Sequence, residues 1–164
     1  MKGLPALVGF LLTSYVAAAI GSIFTRHSLG PWYDGLRKPG WTPPGRIIGL
    51  IWSVLYTLMG IAAYLTWRKG DEKLEVRMSL GAYIIQLNLN ILWSVLFFGL
   101  RSPGWALAEI VVLWLSIAEW LRTTARVDRT AAALIAPYLA WVTFAGVLNG
   151  CIWYLNREKT SRPS

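Results

Sequence analysis

Few side chains in this sequence could perform covalent or acid–base chemistry. The chain has one histidine, His27, which lies beside Arg26, and one cysteine, Cys151. A single cysteine excludes an internal disulfide and a CxxC metal motif, and the usual zinc sites need several His or Cys ligands. The carboxylates are few and scattered, and no glycine-rich phosphate loop is present. The residues therefore predict neither a conventional enzyme nor a bound metal.

A stripe of polar and aromatic residues is the first candidate site. Gln86, Asn90, Trp93 and Phe97 follow one another at helical spacing. A buried amide in apolar surroundings is costly unless it is hydrogen-bonded, so this face should point into a helix bundle. Two roles stay open for it: contact with a ligand, or hydrogen bonding between helices.

Other large or polar residues should lie at a similar depth. A rise of about 1.5 Å per residue puts Trp52 roughly 10 Å inside its apolar segment, level with Trp93. Trp105 and Glu109 belong to the same half, and a carboxyl inside such a segment is functional by default, although Glu109 is near enough to the end to reach water. One face of the last segment combines large residues with a small one that leaves room for helix packing or a flat ligand: Tyr138, Trp141, Ala145 and Leu148.

The stretch from Gly30 to Gly45 is rich in proline and aromatic residues. Prolines reduce the entropy that is lost when a loop is fixed, and aromatic rings need a surface to pack on. Trp32, Trp41 and the neighbouring Pro43 therefore predict either an aromatic anchor at a membrane surface or a lid over the mouth of a bundle.

The elements that position these residues are long apolar segments. The chain has 164 residues, of which 55% are hydrophobic and only 15% charged, against about 25% charged in ordinary soluble domains. A bilayer core about 30 Å thick needs roughly 20 apolar residues as a helix. Segments of about this length predict an all-α integral membrane domain of five helices with a long structured first loop, residues 24–46; the spans are 4–23, 47–66, 78–100, 105–121 and 131–155.

The charge pattern suits a membrane surface. The net charge is +8, and the basic residues lie between the apolar segments, where they can meet anionic lipid headgroups. No nucleic-acid motif accompanies them. The basic residues divide equally between the two sides, so the positive-inside rule leaves the orientation open. An odd number of spans puts the two termini on opposite sides.

These residues carry a resemblance to a known family. The first loop, the stripe of the third segment and the aromatic face of the last segment look like the translocator protein family, also called the tryptophan-rich sensory protein or peripheral-type benzodiazepine receptor family. The matching motifs cover nearly the whole chain: Trp32-Tyr33-x-x-Leu36-x-Lys38-Pro39-x-Trp41-x-Pro43-Pro44, Trp52-x-x-Leu55-Tyr56, Gln86-Leu87-x-Leu89-Asn90-x-x-Trp93, Phe97-Phe98-Gly99, Pro137-Tyr138-Leu139-Ala140-Trp141 and Leu148-Asn149.

The resemblance implies a five-helix bundle, often a homodimer, with a ligand cavity under the first loop. It implies binding of a tetrapyrrole, protoporphyrin IX or haem, as a ligand rather than as an obligatory cofactor, in transport or sensing. Light- and oxygen-dependent porphyrin breakdown, in which Trp52 and Trp141 would take part, is the alternative. The implied ligand-binding set is Trp32, Lys38, Pro43, Trp52, Tyr56, Asn90, Trp93, Trp105, Glu109, Tyr138, Trp141, Ala145 and Leu148.

Sterol or lipid binding is a second alternative that the resemblance brings. Vertebrate members carry a Tyr and an Arg in their cholesterol motif where this sequence has Gly150 and Tyr154. This departure argues against strong sterol binding. It also favours a prokaryotic member in a cell-envelope membrane over a eukaryotic member in the mitochondrial outer membrane.

Overall fold

The structure, a computed structural model, describes residues 3–160 and the side chains of residues 3–157. Helices account for most of this part of the chain, and no strand occurs in it. In chain order they are α1 (Gly3–Ser28), α2 (Pro31–Asp34), α3 (Gly45–Trp67), α4 (Leu74–Ser94), which continues as a π-helical turn (Val95–Gly99), α5 (Pro103–Val127) and α6 (Arg129–Thr160).

Five of these helices are long and apolar enough to cross a membrane: α1, α3, α4 with its π turn, α5 and α6. Their outward surfaces carry large apolar side chains such as Leu12, Ile85 and Val111, each roughly half exposed. A face of this kind suits lipid and not water. The protein is therefore an integral, multi-pass membrane protein, as its composition predicts.

At most of their ends the helices extend beyond the predicted spans, because hydropathy marks only the apolar length of a helix. α5 begins at Pro103, where proline has no amide hydrogen to lose in the first turn, and ends at Val127. α6 covers residues on both sides of the predicted span 131–155. Pro137 lies inside it and removes one backbone hydrogen bond.

The first connection, residues 29–44, is shorter than the predicted loop 24–46. Nothing between residues 24 and 28 breaks the helix, so α1 continues to Ser28. The chain then turns at Gly30, whose φ of 127° suits glycine. Proline at the first position then starts the single turn of α2. Pro44 precedes α3, whose first residue is Gly45.

The spanning helices form a closed ring in the order α1, α3, α6, α5 and α4, which returns to α1. Close approach of α1 and α3 depends on Gly60, because a Cβ there would come within 3.0 Å of the Leu11 Cα. The apolar core lies inside this ring and includes Leu55, Met59, Leu113 and Ile135. A second, smaller cluster around Phe97 and Leu148 lies beside the first connection.

Candidate functional site

A small cavity lies at the centre of the bundle, between α3, α4, α5 and α6. Its volume is about 10 Å³, which is about the size of one water-sized probe. Two indoles and one amide share its wall with aliphatic side chains: Trp52, Asn90, Trp93, Ile110, Leu113, Val142 and Ala145. In this closed form the space cannot admit any ligand larger than a water molecule.

Asn90 joins three helices on one side of the cavity. Tyr56 of α3 donates its hydroxyl to Asn90 Oδ1 over 2.7 Å, and Asn90 Nδ2 donates to the Tyr138 hydroxyl of α6 over 3.0 Å. All three residues are buried. An amide can donate and accept at once, so Asn90 satisfies both phenols and still borders the cavity.

The two cavity indoles are held in different ways. The Trp52 ring contacts both the Tyr56 and the Tyr138 ring, with centroids 5.6 and 6.1 Å away. Trp93 donates its Nε1 hydrogen to Asn149 Oδ1 over 3.1 Å, and Asn149 Nδ2 donates to the Pro103 carbonyl. Both rings are thus fixed before any ligand arrives, which lowers the entropy lost on binding.

Two chains of aromatic contacts connect the cavity region with the first connection. Trp93 stacks on Phe97 with centroids 5.0 Å apart, and Phe97 meets Trp32 edge to face at 5.9 Å. On α6, Trp141 stacks on Phe144 at 5.2 Å, and Phe144 contacts Trp41 at 5.6 Å. Movement of the first connection would therefore disturb Trp93, which borders the cavity, and Trp141, which precedes the wall residue Val142.

The first connection is fastened to the bundle by polar contacts as well. Arg37 donates its main-chain N–H to Asn156 Oδ1 over 3.0 Å, and Asn156 Nδ2 donates to the Arg37 carbonyl over 2.9 Å. Lys38 Nζ donates to the Tyr33 carbonyl and lies 4.2 Å from the centre of the Tyr33 ring. Burial, and then the neighbouring Asp34 carboxylate, raise the pKa of Tyr33 above its usual range.

Two polar groups near the cavity have no hydrogen-bond partner among the described residues. They are the Glu109 carboxyl and the Trp141 Nε1 hydrogen. Glu109 is only 8% exposed and precedes Ile110, which borders the cavity. An unpaired charge is unfavourable in such a place, so this carboxyl suits the neutral form, which can both donate and accept a hydrogen bond.

The structure brings part of the predicted ligand-binding set together. Trp52, Asn90, Trp93 and Ala145 border the cavity. Tyr56 and Tyr138 lie behind Asn90, while Glu109 and Trp141 are neighbours of residues that border it. Four further members lie outside the cavity wall: Trp32, Lys38 and Pro43 of the first connection and Leu148 of the second core cluster.

Trp105 does not join the others. It is 73% exposed, because it precedes the buried Ala106 on α5 and one residue rotates a helical position by about 100°. The predicted depth of Trp105 matches that of the cavity residues, but its side chain lies on the outer face of α5.

Several residues that the pattern of large and polar side chains did not single out contribute to this region. Ile110 and Leu113 of α5 and Val142 of α6 complete the cavity wall, and Asn156 binds the first connection. Leu113 lies four residues after Glu109, and Val142 lies four residues after Tyr138, so each shares a helical face with a predicted residue. That spacing is a signal that the sequence contains. Asn156 has no such signal, since its partner is main chain.

A larger, open recess of about 480 Å³ lies at the other end of the bundle. Tyr64, Trp67, Arg68 and Asp71 line it with two glycines. It contains none of the predicted site residues and faces outward, so the small central cavity remains the candidate site. Among the described residues, no group of three or more His, Cys, Asp or Glu side chains could hold a metal ion.

The sequence of the chain is similar to that of a known membrane-protein family. The model described as the TspO/MBR family matches residues 10–155. The chain is 39% identical over 155 residues to the translocator protein of Bos taurus, covering 94% of this chain and 92% of that protein. It is 37% identical over 153 residues to the tryptophan-rich protein TspO of Archaeoglobus fulgidus, covering 92% and 96%. Protein CrtK of Rhodobacter capsulatus is 38% identical over 140 residues, covering 85% and 86%.

Proposed function

The chain belongs to the TspO/MBR family, and on that premise we propose that it binds a tetrapyrrole, protoporphyrin IX or haem, in an opened form of the central cavity. Relatives are named translocator and sensory proteins, so we place the bound ligand in transport across the membrane or in sensing. The function is one of binding and release.

The observation that carries this proposal is the pair of fixed indoles on the cavity wall. Trp52 and Trp93 present ring surfaces beside the Asn90 amide in an otherwise aliphatic space. A tetrapyrrole is flat and apolar over both faces. Stacking on an aromatic side chain contributes about 0.5–1.5 kcal/mol per pair beyond the area buried. A flat, apolar ligand could stack on the ring surfaces of Trp52 and Trp93.

The protein would recognise the faces of the tetrapyrrole macrocycle more than a metal ion at its centre. None of the side chains that border the cavity is a usual axial ligand of haem iron, which is held by His, Cys, Met or Tyr. We therefore expect metal-free protoporphyrin IX and haem to bind with similar affinity.

The ligand's propionates need a different environment, at the edge of the membrane. Arg37 and Arg46 are exposed at the first connection and the start of α3. Exposed ion pairs contribute up to about 1 kcal/mol, enough to orient the macrocycle edge-on with its propionates toward this surface. The first connection then acts as a lid, since the cavity must enlarge to admit the ring.

Titration of the purified protein in detergent with protoporphyrin IX and, side by side, cholesterol tests the proposal. Quenching of tryptophan fluorescence reports porphyrin binding, and retention of radiolabelled cholesterol by the protein reports sterol binding. We expect saturable quenching by the porphyrin at one site per chain, and at least tenfold weaker binding after Trp52→Ala. Trp105→Ala is the matched control, because Trp105 lies on the outer face.

Saturable binding of cholesterol but not porphyrin would favour the sterol alternative. Equal loss of porphyrin binding in both variants would place the ligand on the outer surface and contradict the central site.

Light-dependent porphyrin breakdown is a second candidate function. The position of Trp52 on the cavity wall and the unpartnered Nε1 of nearby Trp141 favour it, because indole is readily oxidised by a photoexcited porphyrin or the oxygen species that it makes. This reaction would follow binding at the same site.

A further inference from the structure

We propose that the Asn156 carboxamide is the latch of the lid: it holds the first connection (residues 29–44) closed by pairing with the Arg37 main chain, and its opening sets the rate of ligand exchange. This inference rests on the proposed function for the exchange of ligand. The latch itself is a property of the protein alone and can be tested without a ligand.

The geometry of the pair is specific to an amide. Asn156 Oδ1 accepts the Arg37 N–H over 3.0 Å, while Asn156 Nδ2 donates to the Arg37 carbonyl over 2.9 Å. A carboxamide offers an acceptor and a donor on one planar group, so it can pair with both polar groups of one residue's main chain. A carboxylate would lack the donor, and an aliphatic side chain would lack both.

Arg37 is a point where the connection needs such a partner. It lies in irregular structure between the single turn of α2 and Pro39, so no helix supplies partners for its main chain. Backbone polar groups that are removed from water need hydrogen bonds. Asn156 is 7% exposed and is also held by its own helix, because its Nδ2 donates to the Ile152 carbonyl over 2.7 Å. The latch is therefore rigid on the α6 side.

The pair also lies where a latch can act. Leu36, the neighbour of Arg37, packs against the second core cluster, which contains Leu148 and Ile152 of α6. On either side of this point, aromatic contacts hold the connection: Trp32 against Phe97 and Trp41 against Phe144. Ring contacts can slide, whereas a two-point hydrogen bond is directional. Opening of the lid thus requires that the Asn156 pair break.

Limited trypsin digestion measures the opening directly. Trypsin cleaves after Arg37, and a protease needs the bond to be free of its hydrogen-bonded partners. The bond after Lys69, in the connection between α3 and α4, serves as the internal control in the same sample. Asn156→Leu keeps the approximate size and removes both hydrogen bonds; Asn156→Asp keeps the acceptor alone. Asn88→Leu, on the exposed face of α4, controls for the loss of an asparagine.

We expect Asn156→Leu to speed cleavage after Arg37 about tenfold or more, which is the factor that corresponds to the loss of two typical hydrogen bonds. Asn156→Asp should fall between Asn156→Leu and wild type. Cleavage after Lys69 should not change in any variant. Equal rates of cleavage after Arg37 in wild type and Asn156→Leu would overturn the latch, as would a parallel increase after Lys69, since that pattern means general unfolding.

Stopped-flow binding of protoporphyrin IX tests the link to exchange. If the latch controls access, the association and dissociation rates should rise together in Asn156→Leu, with little change in Kd. Faster cleavage with unchanged exchange rates would overturn the role of the latch in exchange. Absence of porphyrin binding by wild type would overturn the proposed function and the exchange role, while the digestion experiment would still decide whether Asn156 holds the connection.

Discussion

At the scale of single residues, Asn90 combines a structural role with a position on the cavity wall. Its amide satisfies the hydroxyls of Tyr56 and Tyr138 and borders the cavity. The two roles that its sequence position leaves open, hydrogen bonding between helices and contact with a ligand, are therefore not exclusive. An experiment has to separate them by measuring stability and binding on the same variant.

Replacement of Asn90 by Leu should lower both stability and porphyrin affinity. Two buried phenols lose their partner, and each unsatisfied buried group costs about 1–3 kcal/mol. Thermal unfolding in detergent should show a clear decrease in Tm. Asn88→Leu is the control on the same helix, because Asn88 is exposed and donates to the Ile84 carbonyl of its own helix; its change should stay within about 0.5 kcal/mol. A lower Tm with unchanged affinity would make Asn90 purely structural.

Trp52→Phe and Trp141→Phe should keep most of the affinity and lose light-dependent porphyrin breakdown. Phenyl rings still stack, but they are oxidised far less readily than indole. The measurement is the absorption spectrum of protein-bound protoporphyrin IX during illumination in air, with Trp105→Phe as an exposed control. Unchanged breakdown in both variants would show that these tryptophans only pack against the ligand.

At the scale of helices, the sequence predicts which segments cross the membrane better than it predicts how each one is rotated. The five spans follow from apolar length alone. The depth of a residue along its span can also be predicted from the sequence, since the rise per residue is fixed. This depth puts Trp52 and Trp93 at one level. Rotation depends on neighbours that are distant in sequence, which is why Trp105 has the expected depth but the outer face.

Features formed by main chain are the other part that the sequence does not reveal. The π turn at the end of α4 closes with a hydrogen bond from the Leu100 N–H to the Val95 carbonyl over 2.7 Å, and no residue type marks it. The sequence also gives no sign of the pairing of Asn156 with Arg37, because Arg37 takes part through its main chain. Both lie beside the first connection, where π turns and irregular segments commonly serve function.

The junction of α5 and α6 allows a prediction at this scale. Asp128 Oδ1 accepts the N–H groups of Thr130 and Ala131 at the start of α6, and Lys69 Nζ lies 2.9 Å from Asp128 Oδ2. One carboxylate thus caps a helix and joins it to the connection that follows α3. The hydrogen bond from Lys69, aided by the two main-chain N–H groups and the Lys69 charge, holds the pKa of Asp128 below its usual range despite some burial.

Asp128→Ala should destabilise the protein by about 1 kcal/mol, the usual effect of losing such a cap. Because the folded pKa is lowered, the ionised carboxylate stabilises the fold above the unfolded pKa of about 3.9. That stabilisation should disappear as the pH falls through the folded pKa. Chemical unfolding from pH 7 down to pH 3 should therefore show the difference between wild type and Asp128→Ala shrinking. Asp128→Asn can still accept at the cap, so it should lose less. A difference that is constant with pH would mean that the charge contributes nothing.

At the scale of the whole molecule, a closed ring of helices surrounds a cavity that is much too small for the proposed ligand. Binding of that ligand would require either that the helices separate or that the first connection lifts. The ring is closed by packing between each pair of neighbouring spans, and its separation would expose core residues such as Met59 and Ile135. The connection is held by ring contacts, by the packing of Leu36 on the second core cluster and by the Asn156 pair. Lifting the connection leaves the core between the helices in place and should be the first step of opening.

The contrast between the contacts of the first connection and the packing between the helices predicts how the protein responds when the connection is replaced. A Gly/Ser linker of equal length in place of residues 30–45 removes Trp32, Trp41 and the Arg37 pairing, but it leaves the spanning helices intact. Porphyrin dissociation, followed by stopped-flow transfer to an acceptor protein, should become at least tenfold faster. The Tm in detergent should change little by comparison, because the core between the helices is retained.

The matched control is the same replacement in the connection between α3 and α4, residues 68–73, at the other end of the bundle. This change removes Lys69 and should lower the Tm slightly through Asp128, with no effect on dissociation. Such a contrast assigns ligand exchange to one end of the bundle. If both replacements leave the dissociation rate unchanged, the first connection is only an anchor at the membrane surface, and the ligand must leave between the helices.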